Sequence, residues 1–287
     1  MVKSHHCDPH GIVHHRLPRE IAKGVYWLGD CFLWETRAGL EHSYSSVYLV
    51  SGKERSILVD TGHIKDWIVV RDQVESLVAK GVPAPEYIFP THPEVTHSGN
   101  LGRWLNHYPN ARGIGDMRDM QLIFPKHVDR FVTVKQGDEI DLGERKFVFV
   151  EAVLLDLVNS LWGYDPTEKV LFSSDGLGFG HYHEAEQCGK FAEEIPDLPI
   201  PELTGIFLEY ALYWTRLKSA EPELERLRKM IEEEYPTRII ASAHGSVVTD
   251  PEKTVPLVKE GLKRISKMTV EGSVSSAKNP YELEVAK

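Results

Sequence analysis

Phe89-Pro90-Thr91-His92-Pro93-Glu94-Val95-Thr96-His97-Ser98-Gly99-Asn100 joins two segments of different character. YIFP (87–90) is a short apolar run that predicts a buried strand, and a helix is expected to begin near Asn100. The loop between them therefore carries His92, Glu94 and His97, ligand-type side chains that a rigid scaffold can aim at one point. Imidazole and carboxylate are good donors to iron, zinc or manganese. Working upstream, GVYWLG (24–29), SSVYLV (45–50) and RSILVD (55–60) predict strands, the last running into Asp60-Thr61-Gly62. IKDWIVVRDQVESLVAKG (64–81) has apolar residues at helical spacing and stops at Gly81.

Downstream, FVTV (131–134), DEIDLG (138–143), KFVFVEAV (146–153) and KVLFSSD (169–175) predict a second group of strands. EPELERLRKMIEEEY (221–235) predicts a helix, TRIIASAH (237–244) a strand, and PEKTVPLVKEGLKRISKM (251–268) a final helix with Pro251 near its start. Two strand groups, each followed by helices, predict a layered α/β protein. Asp175 and His244 close two of these strands, the end at which α/β folds place their sites.

The 287 residues, 41% of them apolar and 26% charged, can bury one sizeable core. Forty-three acidic against 33 basic residues leave a net charge of −10, which argues against nucleic acid or an anionic membrane as partner. No apolar run is long enough to span a bilayer, and MVKSHHCDPHGIVHH has no apolar core of a secretory signal. Cys7, Cys31 and Cys188 are too few and too widely spaced for a disulfide framework or a thiolate zinc cluster, and Cys31 reads as a small core residue. A cytoplasmic location is the expectation. So is one domain over 21–269, after a His-rich segment (1–20, with His5, His6, His10, His14 and His15) and before a polar tail (270–287).

ILVDTG (57–62), THPEVTHSGN (91–100), KVLFSSDGLG (169–178) and ASAHG (241–245) resemble the motifs of the metallo-β-lactamase superfamily, over about Val25 to Lys267. Most hydrolases of that family carry His-x-His-x-Asp-His, whereas Glu94 stands here for the second histidine. That pattern resembles the flavodiiron branch and its single-domain relatives, the oxygen-binding diiron proteins. The resemblance implies an αβ/βα four-layer sandwich and two iron ions that react with O2 or NO. It implies His92 and Glu94 on one metal, His97 and His244 on the other, and Asp175 bridging. His181, six residues after Asp175, matches a pocket histidine of that branch. His181 and His183 alternate in GFGHYHEAE, so in an extended stretch at most one faces the pocket, and His181 is favoured. The resemblance also makes a homodimer the expectation, although no sequence feature marks an interface.

Two positions depart from the pattern. Thr96 replaces the motif's aspartate and is a poor ligand for a dication. It reads as a hydrogen-bonding neighbour that leaves an open reactive position, a weak site or a single filled metal. The family's mid-chain histidine has no counterpart in VLLDLVNSLWGY (153–164), where alignment puts Asp156 at the ligand position, with an ordinary turn residue as the alternative. Glu94 could also be a solvated carboxylate. Asp60 reads as a structural acid that steadies the metal loop. Tyr210 and Trp214, at i, i+4 in FLEYALYW, read by default as a core stripe, with pocket lining as the alternative.

The resulting expectation is a diiron oxidoreductase that binds or reduces O2 or NO with electrons from an external donor. These 287 residues are expected to lack a flavodoxin domain, and they carry neither a Rossmann glycine fingerprint nor a Cys-x-x-Cys pair. The alternative is a dinuclear zinc (or manganese) hydrolase acting on an ester, thioester or lactone. Against it, carboxylates at 94 and 156 would make the metal a weaker Lewis acid and raise the pKa of its bound water.

Overall fold

The computed structural model describes residues 17–36, 39–180 and 187–270. Seven strands form one sheet in sequence order: β1 (Arg19–Ala22), β2 (Val25–Thr36), β3 (Gly39–Ser51), β4 (Ser56–Val59), β5 (Pro85–Phe89), β6 (Arg112–Gly115) and β7 (Phe131–Thr133). A second sheet, in the order β12-β11-β10-β9-β8, contains β8 (Glu139–Asp141), β9 (Lys146–Glu151), β10 (Leu161–Asp165), β11 (Val170–Ser174) and β12 (Ile239–Ser242). Strands β4 to β7 run parallel, as do β11 and β12, and the remaining pairs are antiparallel. The helices are α1 (Trp67–Val78), α2 (Val95–Ser98), α3 (Leu101–His107), α4 (Met120–Ile123), α5 (Ile200–Ala211), α6 (Glu221–Lys229) and α7 (Pro251–Val270).

The layering follows from strand alternation. In β4, Ile57 and Val59 face the second sheet, while Leu58 faces Val70, Val74, Leu101 and Trp104 of α1 and α3. In β11 and β12, Val170, Phe172, Ile239 and Ala241 face inward, whereas Leu171 and Ile240 pack under α5, α6 and α7. Strands clothed on both faces read as continuous apolar runs, as RSILVD and TRIIASAH do. Between the sheets, Phe89, Phe147, Phe149 and Phe172 meet edge-on or tilted, with ring centroids 5.0–6.0 Å apart. The layers are therefore helix, sheet, sheet, helix, the metallo-β-lactamase sandwich. No helix among the described residues is long and apolar enough to cross a membrane.

Hydrogen bonds tie the two sheets together at the end where β4, β5, β11 and β12 terminate. Tyr48 donates its hydroxyl to the Ser242 carbonyl at 2.7 Å, the Ser46 amide donates to Ala243 at 2.9 Å, and the Leu161 amide donates to Thr91 at 2.9 Å. Gly176 follows Asp175 because a Cβ there would lie 2.1 Å from the Trp162 ring. Cys31 is buried between the sheets, with its sulfur 3.7 Å from that of Cys188.

Candidate metal centre

Four side chains, from the segment after β5, from α2 and from the end of β11, meet at that shared edge. The ligand-type atoms of His92, Glu94, His97 and Asp175 all lie within 4.8 Å of one another, a grouping that could hold a metal ion. His92, His97 and Asp175 are buried, whereas the Glu94 side chain is half exposed. Asp175 is the hub. Its Oδ1 lies 3.3 Å from His97 Nε2 and 3.2 Å from His244 Nε2, and its Oδ2 lies 3.4 Å from His92 Nε2. Glu94 Oε2 lies 3.3 Å from His92 Nε2 and 3.7 Å from His97 Nε2, and Asp156 Oδ2 lies 3.9 Å from His92 Nε2.

The far side of each imidazole is engaged, which orients the ring. Asp60, at φ 61° directly after β4, accepts from the Thr91 amide at 2.8 Å and the Thr91 hydroxyl at 2.9 Å through Oδ1. Its Oδ2 accepts from His97 Nδ1 at 2.9 Å. Ser174, at φ 50° as β11 ends, bridges Thr91 Oγ1 at 2.7 Å and His92 Nδ1 at 3.1 Å. With the Thr91 hydroxyl donating to Asp60, the chain reads His92 Nδ1–H to Ser174, Ser174 to Thr91, and Thr91 to Asp60. One buried carboxylate thus ends both chains and turns the Nε2 atom of each ring toward the cluster. His244 donates Nδ1–H to the Tyr44 carbonyl, again turning Nε2 toward Asp175. Left-handed backbone at two non-glycine residues places these carriers, a strain that such sites commonly retain.

Buried His97 Nε2 lies 3.3 Å from Asp175 Oδ1, and the Asp175 oxygens lie 3.2 and 3.4 Å from His244 and His92 Nε2, yet His97 Nε2 and both Asp175 oxygens lack the alignment of a hydrogen bond. Buried polar atoms are rarely left so. Donor atoms that converge without bonding to each other fit a cation between them. The charges agree. Burial would lower the His97 pKa, but Asp175 and Asp60 outweigh it and hold the ring well above the usual histidine range. Burial would raise Asp175, but the neighbouring histidines hold it well below the usual carboxylate range. Asp156 is pushed up to about 7 by burial and then by the negative charges of Asp175 and Glu94, a repulsion that a dication would relieve.

A cavity of about 370 Å³ opens on this cluster, lined in part by Glu94, Thr96, Asp156, Asp175 and His244. The remaining sequence candidates therefore gather at the same place. Thr96 Oγ1 is buried without a partner. His181 and His183 lie outside the described residues, as do the histidines of the first 15 positions. Tyr210 corrects the expectation of a core stripe. It sits on α5, 57% exposed, and lines the cavity, whereas Trp214, in a 3-10 turn beyond the helix end, packs against the core as expected and donates its indole N–H to Leu155 at 2.9 Å. The i, i+4 spacing misleads because the helix stops at Ala211. Sequence reasoning missed His63, Lys65 and Phe207 as cavity residues. The signal available for the first two was their position in GHIK, directly after the VDTG turn.

Residues 44–245 match the family described as ODP family beta lactamase. The chain belongs to that family. Among curated relatives, coenzyme F420H(2) oxidase of Methanothermobacter marburgensis is 29% identical over 250 residues, which cover 83% of this chain and 59% of the relative. Anaerobic nitric oxide reductase flavorubredoxin of Pectobacterium carotovorum is 27% identical over 245 residues, covering 80% of this chain and 46% of the relative. The chain thus spans between about half and three-fifths of these relatives. Among solved structures, the flavodiiron protein from Giardia intestinalis superposes with a TM-score of 0.68 at 20% identity, covering 89% of this chain and 60% of that one. At that identity the likeness concerns the fold of this ODP chain.

Proposed function

We propose that this ODP-family protein holds two iron ions at the His/carboxylate cluster and binds or reduces O2 or NO, with electrons from a separate donor. The observation that carries the reading is the set of converging buried donors, His97 Nε2 and both Asp175 oxygens, left without hydrogen bonds. In this reading His92, Glu94 and Asp156 serve one ion, His97 and His244 the other, and Asp175 both. The printed functions of the relatives, an F420H(2) oxidase and a nitric oxide reductase, support the substrate class. Three carboxylates in the donor set favour a redox metal that must be stabilised when oxidised.

When bound, two ferrous ions would supply the electrons that O2 or NO accepts. The chain's own residues do the rest. Asp60, Thr91 and Ser174 keep the imidazoles of His92 and His97 in one tautomer and one orientation. Phe207, whose ring centroid lies 5.1 Å from that of His244, shields that flank from water. The Thr96 side chain borders the cavity, with its hydroxyl oxygen buried.

The test is elemental analysis of untagged protein from iron-supplemented cells, followed by visible spectroscopy as O2 is added to the reduced protein. Two irons per chain and an O2-dependent spectral change are the expected result. Zinc in their place, with ester or thioester hydrolysis, overturns it in favour of the hydrolase.

A further inference from the structure

A second reactive pair lies outside the metal cluster, where β2 meets the segment that precedes Ala192. Cys31, on β2, is buried and disulfide-bonded. Its sequence reading as a small core residue captures the burial and misses the bond. Cys188 keeps its thiol, which donates to the Cys31 sulfur at 3.7 Å from 157 positions away in sequence. A thiol in contact with a disulfide sulfur is the starting arrangement for thiol–disulfide exchange. Closing the gap to an S–S bond of about 2.05 Å takes a shift of less than about 2 Å.

The surroundings hold the thiol in place. The Gly189 amide donates to the Tyr44 hydroxyl at 2.8 Å, and Arg19 Nη1 donates to the Gly189 carbonyl at 2.7 Å. The residue after Cys188 is thus fastened to both β1 and β3. The Tyr44 hydroxyl also hydrogen-bonds the Cys188 side chain, which places a donor beside the attacking sulfur. Cys188 is half-buried and Cys31 only 3% exposed, so a reagent from solution meets Cys188 first.

We propose that Cys188 and Cys31 form a thiol–disulfide exchange site that reacts with small disulfides through Cys188. Within the chain the step needs no reagent. Cys188 gives up its proton, its thiolate attacks Cys31 Sγ, and the Cys31–Cys188 bond forms as the existing bond to Cys31 breaks. The displaced sulfur leaves with the bonding pair and takes up the proton, so no electrons are gained or lost. When both cysteines are reduced, a disulfide such as oxidised glutathione supplies the oxidation. Cys188 attacks it and releases one glutathione, then Cys31 displaces the other, so two electrons and two protons pass from the cysteines to the two glutathiones. The product ties the segment around Gly189 to β2, beside Tyr44, whose carbonyl accepts from His244.

The test blocks thiols with N-ethylmaleimide and maps non-reduced tryptic peptides by mass spectrometry, residues 24–37 carrying Cys31 and residues 170–190 carrying Cys188. After incubation at about pH 8, where a thiol is partly ionised, the two peptides should appear linked, with maleimide on the third cysteine of the sequence, Cys7, in place of Cys188. Reduced protein given oxidised glutathione should yield the same linked pair. Cys31→Ala lacks the sulfur that displaces the second glutathione, so Cys188 should hold about tenfold more glutathione than in wild type. Maleimide on Cys188 throughout, with no linked pair under either condition, overturns the proposal. So does a Cys31→Ala variant with no more glutathione on Cys188 than wild type, and the wild-type mapping decides alone if that variant does not fold. Neither readout involves a metal, so the outcome is independent of the di-metal reading.

Discussion

The two sides of the candidate metal centre are built differently. On the inner side, His92, His97, Asp175 and His244 are buried, and each imidazole is steadied through Nδ1 by Ser174, Asp60 or the Tyr44 carbonyl. On the outer side, Glu94 is half exposed and Asp156 comes from the β9–β10 loop, facing other acids with its pKa pushed up to about 7. The inner side is held by the fold before any ion arrives. The outer side consists of carboxylates that repel one another until a cation joins them. Pre-organisation and charge thus divide between the two sides, and substitutions on each should fail in different ways.

The largest expected effect is at the hub. Asp175→Asn removes the one charge that three imidazoles face, and both ions should be lost; retention of both, by elemental analysis, would remove Asp175 from the centre of the site. Asp60→Asn comes next. It leaves every proposed donor in place but puts an amide where His97 Nδ1–H needs an acceptor, so metal affinity should fall by about 10–100-fold. Competition with a chelator of known affinity checks this, and an unchanged value would show that the Asp60–Thr91–Ser174 chain does not set the tautomers.

The outer side is probed by pH. The folded-state pKa of Asp156 is raised from 3.8 to about 7, so between those values the folded protein keeps a proton that the unfolded chain has released. Its contribution to the stability of the metal-free protein therefore declines as pH rises through that window. Asp156→Asn removes the penalty. Melting the chelator-treated proteins should show the variant gaining on wild type between about pH 5 and pH 8. Because the carboxyl is partly open to water, the gain should be only about 1–2 kcal/mol. A difference that does not grow with pH would mean that Asp156 is already well solvated.

What the sequence made legible follows the same division. Strands buried on both faces announce themselves as apolar runs, so β4, β5, β9, β11 and β12 are readable, and the residues that close them carry the candidate donors. Strand β6 (RGIG) is half glycine, and β10 (LWGYD) has Gly163 where a Cβ would lie 2.2 Å from the Phe147 ring. Packing forces glycine there, and glycine erases the local strand signal. The long β2–β3 hairpin pairs over its whole length, but only its ends away from the turn, GVYWLG and SSVYLV, carry a continuous apolar run. The donors themselves are legible because metal chemistry restricts residue type. The Thr91–Ser174 link is not, because hydroxyls are common and only the fold brings residues 83 apart in sequence to 2.7 Å. Lys65 escapes for a related reason: it is an ordinary surface residue type until the cavity between β4 and α5 is seen.

Thr96 should give the smallest effect and the sharpest test of how the two sides divide. It stands on α2, one residue before His97, bordering the cavity, with its hydroxyl buried and unpartnered. The ion proposed for His97 and His244 would have fewer carboxylates than its neighbour, and a carboxylate at 96 would even the two. Thr96→Asp is nearly the same size and should tighten that ion by about tenfold, worth about 1.4 kcal/mol, as read by chelator competition. The same change adds a fourth acid to Glu94, Asp156 and Asp175, so the metal-free variant should melt below wild type at neutral pH. The two effects have opposite signs and a single cause, the cation that the acids require. If Thr96→Asp changed neither quantity, the hydroxyl would lie too far from the ion to matter, and the poorer ligand set of the inner side would need another completing group.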